Sequence, residues 1–235
     1  MKTTEAIILA GGFGTRLKHI VSDVPKPMAP VNGSPFLSYL MKKLSFAGIQ
    51  HIVLSTGYLH EKIELFYNDF FNGMKISYAR EIEPLGTGGA IMFALEKTTT
   101  DTLLVLNGDT LFNIDFEHFD TFSQTKETVL SVALRHEKEV SRYGSVEINP
   151  EGKILAFTEK SKASGEGLIN GGIYSLKKNW LKSLSLPKTF SFEKEILEKL
   201  YKDNEFYGLP FNEYFIDIGV PEDYERAQQE LATFI

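Results

Sequence analysis

No cysteine occurs in this chain of 235 residues, which removes disulfides and thiolate metal sites from consideration and fits a reducing cytoplasm. Lysine and arginine never gather into a run, and the formal net charge is −6. A nucleic-acid surface, which needs basic patches against the phosphate backbone, is therefore not expected. No apolar stretch approaches the roughly 20 residues of a membrane span. A strand-like run starts within the first ten residues, leaving no room for a signal peptide ahead of it. Internal repeats, low-complexity tracts and linkers are missing as well. What is present is 43% hydrophobic residues, enough for one α/β domain to bury a sizeable core. The expectation is a cytoplasmic protein that engages neither membrane nor nucleic acid, with a homo-oligomer left open.

One stretch organises the chain: Ala6-Ile7-Ile8-Leu9-Ala10-Gly11-Gly12-Phe13-Gly14-Thr15-Arg16-Leu17, followed by Pro25-Lys26-Pro27. A short apolar run leads into a glycine-rich turn that ends in a hydroxyl and a guanidinium, the arrangement by which a buried strand presents backbone N–H groups to a phosphate chain. Glycines there let the backbone approach a ligand closely. Lys26 adds a point charge whose backbone two prolines hold. Two other phosphate-binding patterns fail. Leu17 stands where a dinucleotide fingerprint needs its third glycine, and no acidic residue closes the second expected strand. Nor does any Gly-x-x-x-x-Gly-Lys-Ser/Thr occur.

Strand-like and helical stretches alternate through the first half, which reads as βα units around a mostly parallel sheet. Strands are expected over 6–9, 52–55, 75–78 and 103–106, and helices over 36–47 and 60–71, with a third running from the glycine-rich segment 85–90 to near Lys97. Asn32-Gly33 reads as a turn, Ser34 as a helix cap and Pro35 as a first helical residue. The run 103–106 is continuously apolar, as in a strand covered on both faces. It delivers Asn107-Gly108-Asp109 at its carboxyl end, where open α/β sheets place ligands. From Thr128 strands dominate, over 129–134, 145–148, 154–158 and 172–176. Helices over 192–201 and 221–232 flank a strand over 214–218. Asp109 and Asp217 both sit at strand ends, where a carboxylate reaches a cleft or caps a turn. Glu159-Lys160 reads equally as a solvated charged turn, Asn107 as a buried turn residue and Tyr143 as a packing residue. Glycines at 171 and 172 inside a strand-like run require that something approach the backbone closely.

Residues 9–17 with Pro25-Lys26-Pro27 resemble, at every position, the signature of the sugar-1-phosphate nucleotidyltransferases, Leu-Ala-Gly-Gly-x-Gly-Thr-Arg-Leu followed by Pro-Lys-Pro. The resemblance implies the nucleotide-diphospho-sugar transferase fold, a Rossmann-like mixed and mostly parallel sheet flanked by helices. It implies a single domain, with approximately residues 1–127 binding the nucleoside triphosphate and 128–235 forming a smaller β-rich sugar-binding part with the closing helices. It further implies that Leu9, Ala10, Gly11, Gly12, Gly14, Thr15 and Arg16 hold the triphosphate. Arg16 and Lys26 would face the phosphates that leave as pyrophosphate. Gly86, Thr87 and Gly88 correspond to a base-recognition loop, Asn107 and Gly108 to further nucleotide contacts, and Asp109 and Asp217 to ligands of Mg2+. Tyr143-Gly144, Glu159-Lys160 and Asn170-Gly171 correspond to the sugar-phosphate pocket. No general base is needed, because a sugar phosphate is already an anion at neutral pH, so the five histidines receive no catalytic role.

Within the family, residues 190–195 and 214–224 look most like the branch that joins GTP to D-glycero-α-D-manno-heptose 1-phosphate. Mannose-1-phosphate guanylyltransferases and MurNAc-1-phosphate uridylyltransferases are the alternatives. A catalytically silent sugar-nucleotide sensor or regulatory subunit on the same fold is the alternative of another class.

Overall fold

The computed structural model describes residues 1–12, 17, 21–158 and 164–233. In chain order the elements are β1 (Glu5–Leu9), β2 (Pro30–Val31), β3 (Ser34–Pro35), α1 (Phe36–Phe46), β4 (His51–Thr56), α2 (His60–Tyr67), β5 (Phe70–Phe71), β6 (Met74–Arg80) and α3 (Gly86–Ala94). Next come β7 (Thr102–Asn107), β8 (Thr110–Phe112), α4 (Phe116–Thr125), β9 (Leu130–Glu137), β10 (Ser145–Ile148), β11 (Ile154–Thr158) and β12 (Gly167–Lys177). The chain closes with α5 (Lys178–Ser183), a π-helical turn Glu193–Leu197 leading into α6 (Glu198–Leu200), β13 (Tyr207–Phe211), β14 (Phe215–Asp217) and α7 (Pro221–Glu230).

One sheet runs in the order β11-β10-β12-β7-β1-β4-β6-β5, with β9 and β13 added beside β12. Its centre is parallel: β1 pairs with β4 and β7, and β4 with β6. Alternate residues of these strands face opposite layers. Ala6, Ile8, Leu54 and Leu106 pack with Phe36, Leu40 and Leu44 of α1, while Ile7, Val53 and Val105 pack with Ile91 and Ala94 of α3. Both faces are thus covered, the condition the continuous apolar run of β7 anticipates. Strand β12 joins this centre to the β-rich half. Leu168 and Ile169 pair with β10, and residues 173–177 pair with β7, while β9 follows the other edge with a shift in register between Asn170 and Tyr174.

Some local expectations fail for identifiable reasons. The helix expected over 60–71 stops at Tyr67, because Asn68, Asn72 and Gly73 adopt positive φ and turn Phe70–Phe71 back against β6. Ser34 and Pro35 lie in a small hairpin, and α1 receives no side-chain cap; the Phe36 N–H donates instead to Ala29 O at 3.0 Å. The segment expected as a helix from 192 opens as a π-type turn. Helix α4, unforeseen, is capped by Asp115, whose carboxylate accepts the His118 N–H at 2.9 Å. Among the described residues no helix is long and apolar enough to cross a membrane.

At the amino end of the parallel strands Glu5, 3% exposed, ties β1 to the turn before β7. Its carboxylate accepts the Thr99 and Thr100 N–H groups at 2.8 and 2.6 Å, and His51 Nδ1 lies 2.8 Å away. Burial pushes this carboxyl up, but the hydrogen bonds from His51, Thr100 and Thr99 outweigh it and hold the pKa at about 2.

Candidate active site

The carboxyl ends of β1, β4, β6 and β7 open onto one cavity of about 890 Å³, the side of a parallel sheet where ligands bind. Strand β14 brings a second carboxylate beside the cavity, behind its lining. It pairs antiparallel with β8 so that Asp217 lies opposite Thr110, and the Ile218 N–H donates to Asp109 O at 3.0 Å. Two residues far apart in sequence therefore share one corner. Lys26, on a 3-10 turn between its two prolines, donates from Nζ to Asp109 Oδ2 at 2.7 Å and to Asp217 Oδ1 at 3.4 Å, with only 9% of its side chain exposed. Gly219 makes room for this arrangement. A Cβ at that position would lie 2.9 Å from Asp217 Oδ1 and 3.2 Å from Lys26 Nζ.

Of the nucleotide residues expected from sequence, Leu9, Gly11, Gly12, Lys26, Gly86, Thr87 and Asn107 line the cavity, as does Asp109, expected as a metal ligand. Gly12 is open, with nothing within 4 Å of a Cβ placed on it, whereas a Cβ on Gly11 would fall 2.7 Å from Glu81 Oε1 and 3.3 Å from Gly57 N. Ala10 and Gly108 support the turn from behind: the Ala10 N–H donates to Ser55 O at 2.8 Å and the Gly108 N–H to Leu9 O at 2.9 Å. Gly88 lies behind the lining rather than in it. Its N–H donates to Phe190 O at 3.0 Å, and a Cβ would fall 2.0 Å from the Phe190 ring, so this glycine accommodates a crossing strap of chain. Gly14, Thr15, Arg16, Glu159 and Lys160 lie outside the described residues.

Three cavity carboxylates, Glu81, Glu83 and Glu193, were not foreseen. Glu81, just past the end of β6, accepts Ser55 Oγ–H at 3.2 Å and the Leu85 N–H at 3.0 Å. Its position at the carboxyl end of a parallel strand, like that of Asp109, was the available signal. Glu193 reaches the cavity from the strap and accepts the hydroxyls of Thr87 at 2.6 Å and Ser191 at 2.8 Å. His60, which sequence reasoning left without a role, also lines the wall, its Nδ1 3.0 Å from Glu64 Oε1.

The described residues expected on the sugar side form a neighbouring group rather than part of this cavity's lining. The Asn170 N–H donates to Gly144 O at 3.0 Å, and Asn170 Nδ2 donates to Tyr174 Oη at 2.8 Å. Gly171 is required by contact, since a Cβ would lie 2.6 Å from the Phe112 ring and 2.7 Å from Ala133 O. Gly172 has φ +73° and approaches Asn107 Nδ2, which links this group to the cavity wall. Burial pushes the Tyr143 phenol above its ordinary pKa.

Asp109 and Asp217 offer only oxygen donors, and both already turn toward a single positive charge, the Lys26 ammonium. That donor set fits a hard divalent cation such as magnesium, which is commonly held by one or two carboxylates and completed by water and substrate phosphates. Among the described residues no group of three or more His, Cys, Asp or Glu side chains forms a closed protein cage for a metal.

Residues 5–233 match the family model described as nucleotidyl transferase. A D-glycero-alpha-D-manno-heptose 1-phosphate guanylyltransferase from Aneurinibacillus thermoaerophilus is 46% identical, over 98% of this chain and 100% of that protein. A protein of the same name from Campylobacter jejuni is 44% identical, over 94% and 96%. Among solved structures, HddC from Yersinia pseudotuberculosis complexed with GMP-PN superposes with a TM-score of 0.85 at 37% identity, covering 97% of this chain and 100% of that one.

Proposed function

The chain belongs to the nucleotidyl transferase family, and on that premise we propose that it condenses GTP with D-glycero-α-D-manno-heptose 1-phosphate to give GDP-heptose and pyrophosphate. The single observation that carries a catalytic reading is the convergence of Lys26, Asp109 and Asp217 beside a cavity of nucleotide size. A sensor that only bound a sugar nucleotide would not need three charged side chains at one corner. Full-length relatives named for this activity support the choice of sugar and base.

The site's chemistry follows from its residues. The open backbone at Gly12 and the cavity floor at Leu9 receive the nucleotide, with the base directed toward Glu81 and the Gly86-Thr87 turn. Guanine presents two N–H donors on its pairing edge, and a carboxylate with lone pairs left after two hydrogen bonds accepts both. A sugar-phosphate oxygen attacks the α-phosphorus, the α–β anhydride bond breaks and pyrophosphate leaves. Lys26 spreads the charge that develops on the phosphates, and Arg16 stands in the signature at a position suited to the same task. Magnesium, held by Asp109 and Asp217, would supply Lewis-acid stabilisation of phosphate oxygens. Tyr143-Gly144 and Asn170-Gly171, with Glu159 and Lys160, would orient the sugar 1-phosphate.

The test is pyrophosphate release from five nucleoside triphosphates against heptose, mannose, glucose and MurNAc 1-phosphates, with magnesium present and then chelated. Release confined to GTP with the α-heptose phosphate, and lost on chelation, is expected. A different productive pair would discard the choice of sugar or base, and silence from folded protein would favour the sensor.

A further inference from the structure

Arg142 immediately precedes Tyr143-Gly144 and lines no part of the nucleotide cavity. Its Nη2 donates to Asp223 Oδ2 at 2.8 Å. Asp223 stands in the first turn of α7, only 8% of its side chain is exposed, and its other oxygen pairs with Arg226 Nη1 at 3.1 Å. A carboxylate so buried depends on such partners, because an unpaired charge there is costly. The Arg142 guanidinium also lies 5.8 Å from the centre of the Tyr143 ring, and that ring packs edge-on against Phe215 with centroids 6.0 Å apart. Phe215 opens β14, the strand that ends in Asp217. Gly144 is fixed in turn through its carbonyl, which accepts from Asn170. At the start of the same loop Glu139 accepts the N–H groups of Ser141 at 3.0 Å and Gly165 at 3.4 Å. Residues 139–144 are thus tied to β12, to β14 and, by one charge-assisted hydrogen bond, to the helix that follows Asp217.

We infer that Arg142 and Asp223 are positioning residues that set the Tyr143-Gly144 segment against Asp217 and so govern binding of the sugar 1-phosphate without governing binding of GTP. The inference rests on the proposed sugar side of the site. The link is a single Nη2–Oδ2 hydrogen bond between opposite charges, so it sets the distance of the segment from α7, and a lysine at position 142 keeps the charge without the arginine's reach and donor geometry.

The experiment is steady-state kinetics on Arg142→Gln, Arg142→Lys, Asp223→Asn and the Gln/Asn double variant, with Tyr143→Leu alongside. The KM for the sugar 1-phosphate should rise about tenfold in Arg142→Gln and Asp223→Asn, while the KM for GTP stays within about twofold. Arg142→Lys should recover part of the loss, and the double variant should be no worse than Asp223→Asn alone, as for two residues acting as a unit. Equal rises in both KM values, or additive losses, would overturn the inference. Arg142 is half exposed, so its variant tests the idea even if Asp223→Asn unfolds. A raised sugar KM in Tyr143→Leu with none in Arg142→Gln would remove the role of the pair alone. No change in either variant would remove the sugar-side reading with it.

Discussion

Lys26 is almost fully buried between two carboxylates, yet it reaches them from a turn held by proline on each side. A lysine kept only for solubility would not be enclosed in this way. Replacing it with alanine should lower kcat by roughly 100-fold or more, the scale of losing one charged donor at a transition state, while far-UV circular dichroism stays unchanged. Turnover near that of the unaltered enzyme would remove its role. Glu81 belongs to the same scale. Its carboxylate is set by Ser55 and by the Leu85 N–H, so a Glu81→Gln change keeps the shape and loses one of two acceptors. The kcat/KM for GTP should fall by about 10- to 100-fold, with a smaller loss for ATP. Equal losses for both nucleotides would show that Glu81 does not read the base. Lys26 stood out by its two flanking prolines, whereas Asp109 and Asp217 at strand ends read equally as turn caps and were singled out by the family resemblance; their convergence is what the structure adds. Glu193 was not legible, since it enters the cavity only through the strap that crosses α3.

At the scale of elements, the parallel strands announced themselves by uninterrupted apolar runs, and β10 and β11 were found to the residue. The failures lie where turn conformation or strand pairing outvoted the side-chain pattern. Phe70 and Phe71 fit a helical face, but the positive φ of Asn68 turned them into a hairpin strand. Strand β13, with a glycine and a proline inside it, exists because β9 offered an open edge to pair with. The Glu5 cluster is a tie between elements and sets a pH dependence. Its folded pKa of about 2 lies below the ordinary value of 4.5. The stabilisation is therefore complete above pH 4.5 and is lost as pH falls toward 2. Urea unfolding should show Glu5→Gln less stable than the parent at neutral pH, with the gap narrowing as the solution is acidified. A gap independent of pH would mean that the cluster stabilises the fold by packing alone.

For the whole molecule, the decisive fact is that one sheet passes from the nucleotide side to the sugar side through β12. Sequence reading divided the chain near Thr128 by texture, and the texture does change there, but the hydrogen-bond ladder continues across. Scanning calorimetry should accordingly record a single unfolding transition, with calorimetric and van't Hoff enthalpies in agreement. Two resolved transitions would show that the halves unfold apart. The shared strand also has a mechanical consequence. A hinge needs a few residues free to absorb a change in φ and ψ; β12 is held by β9 and β10 over 168–169 and by β9 and β7 over 174–176, while Gly171 and Gly172 between them have no ladder pair on either edge. Any bending of one half against the other is therefore concentrated at the Gly171-Gly172 step, the point where Phe112 and Asn107 press closest on the strand.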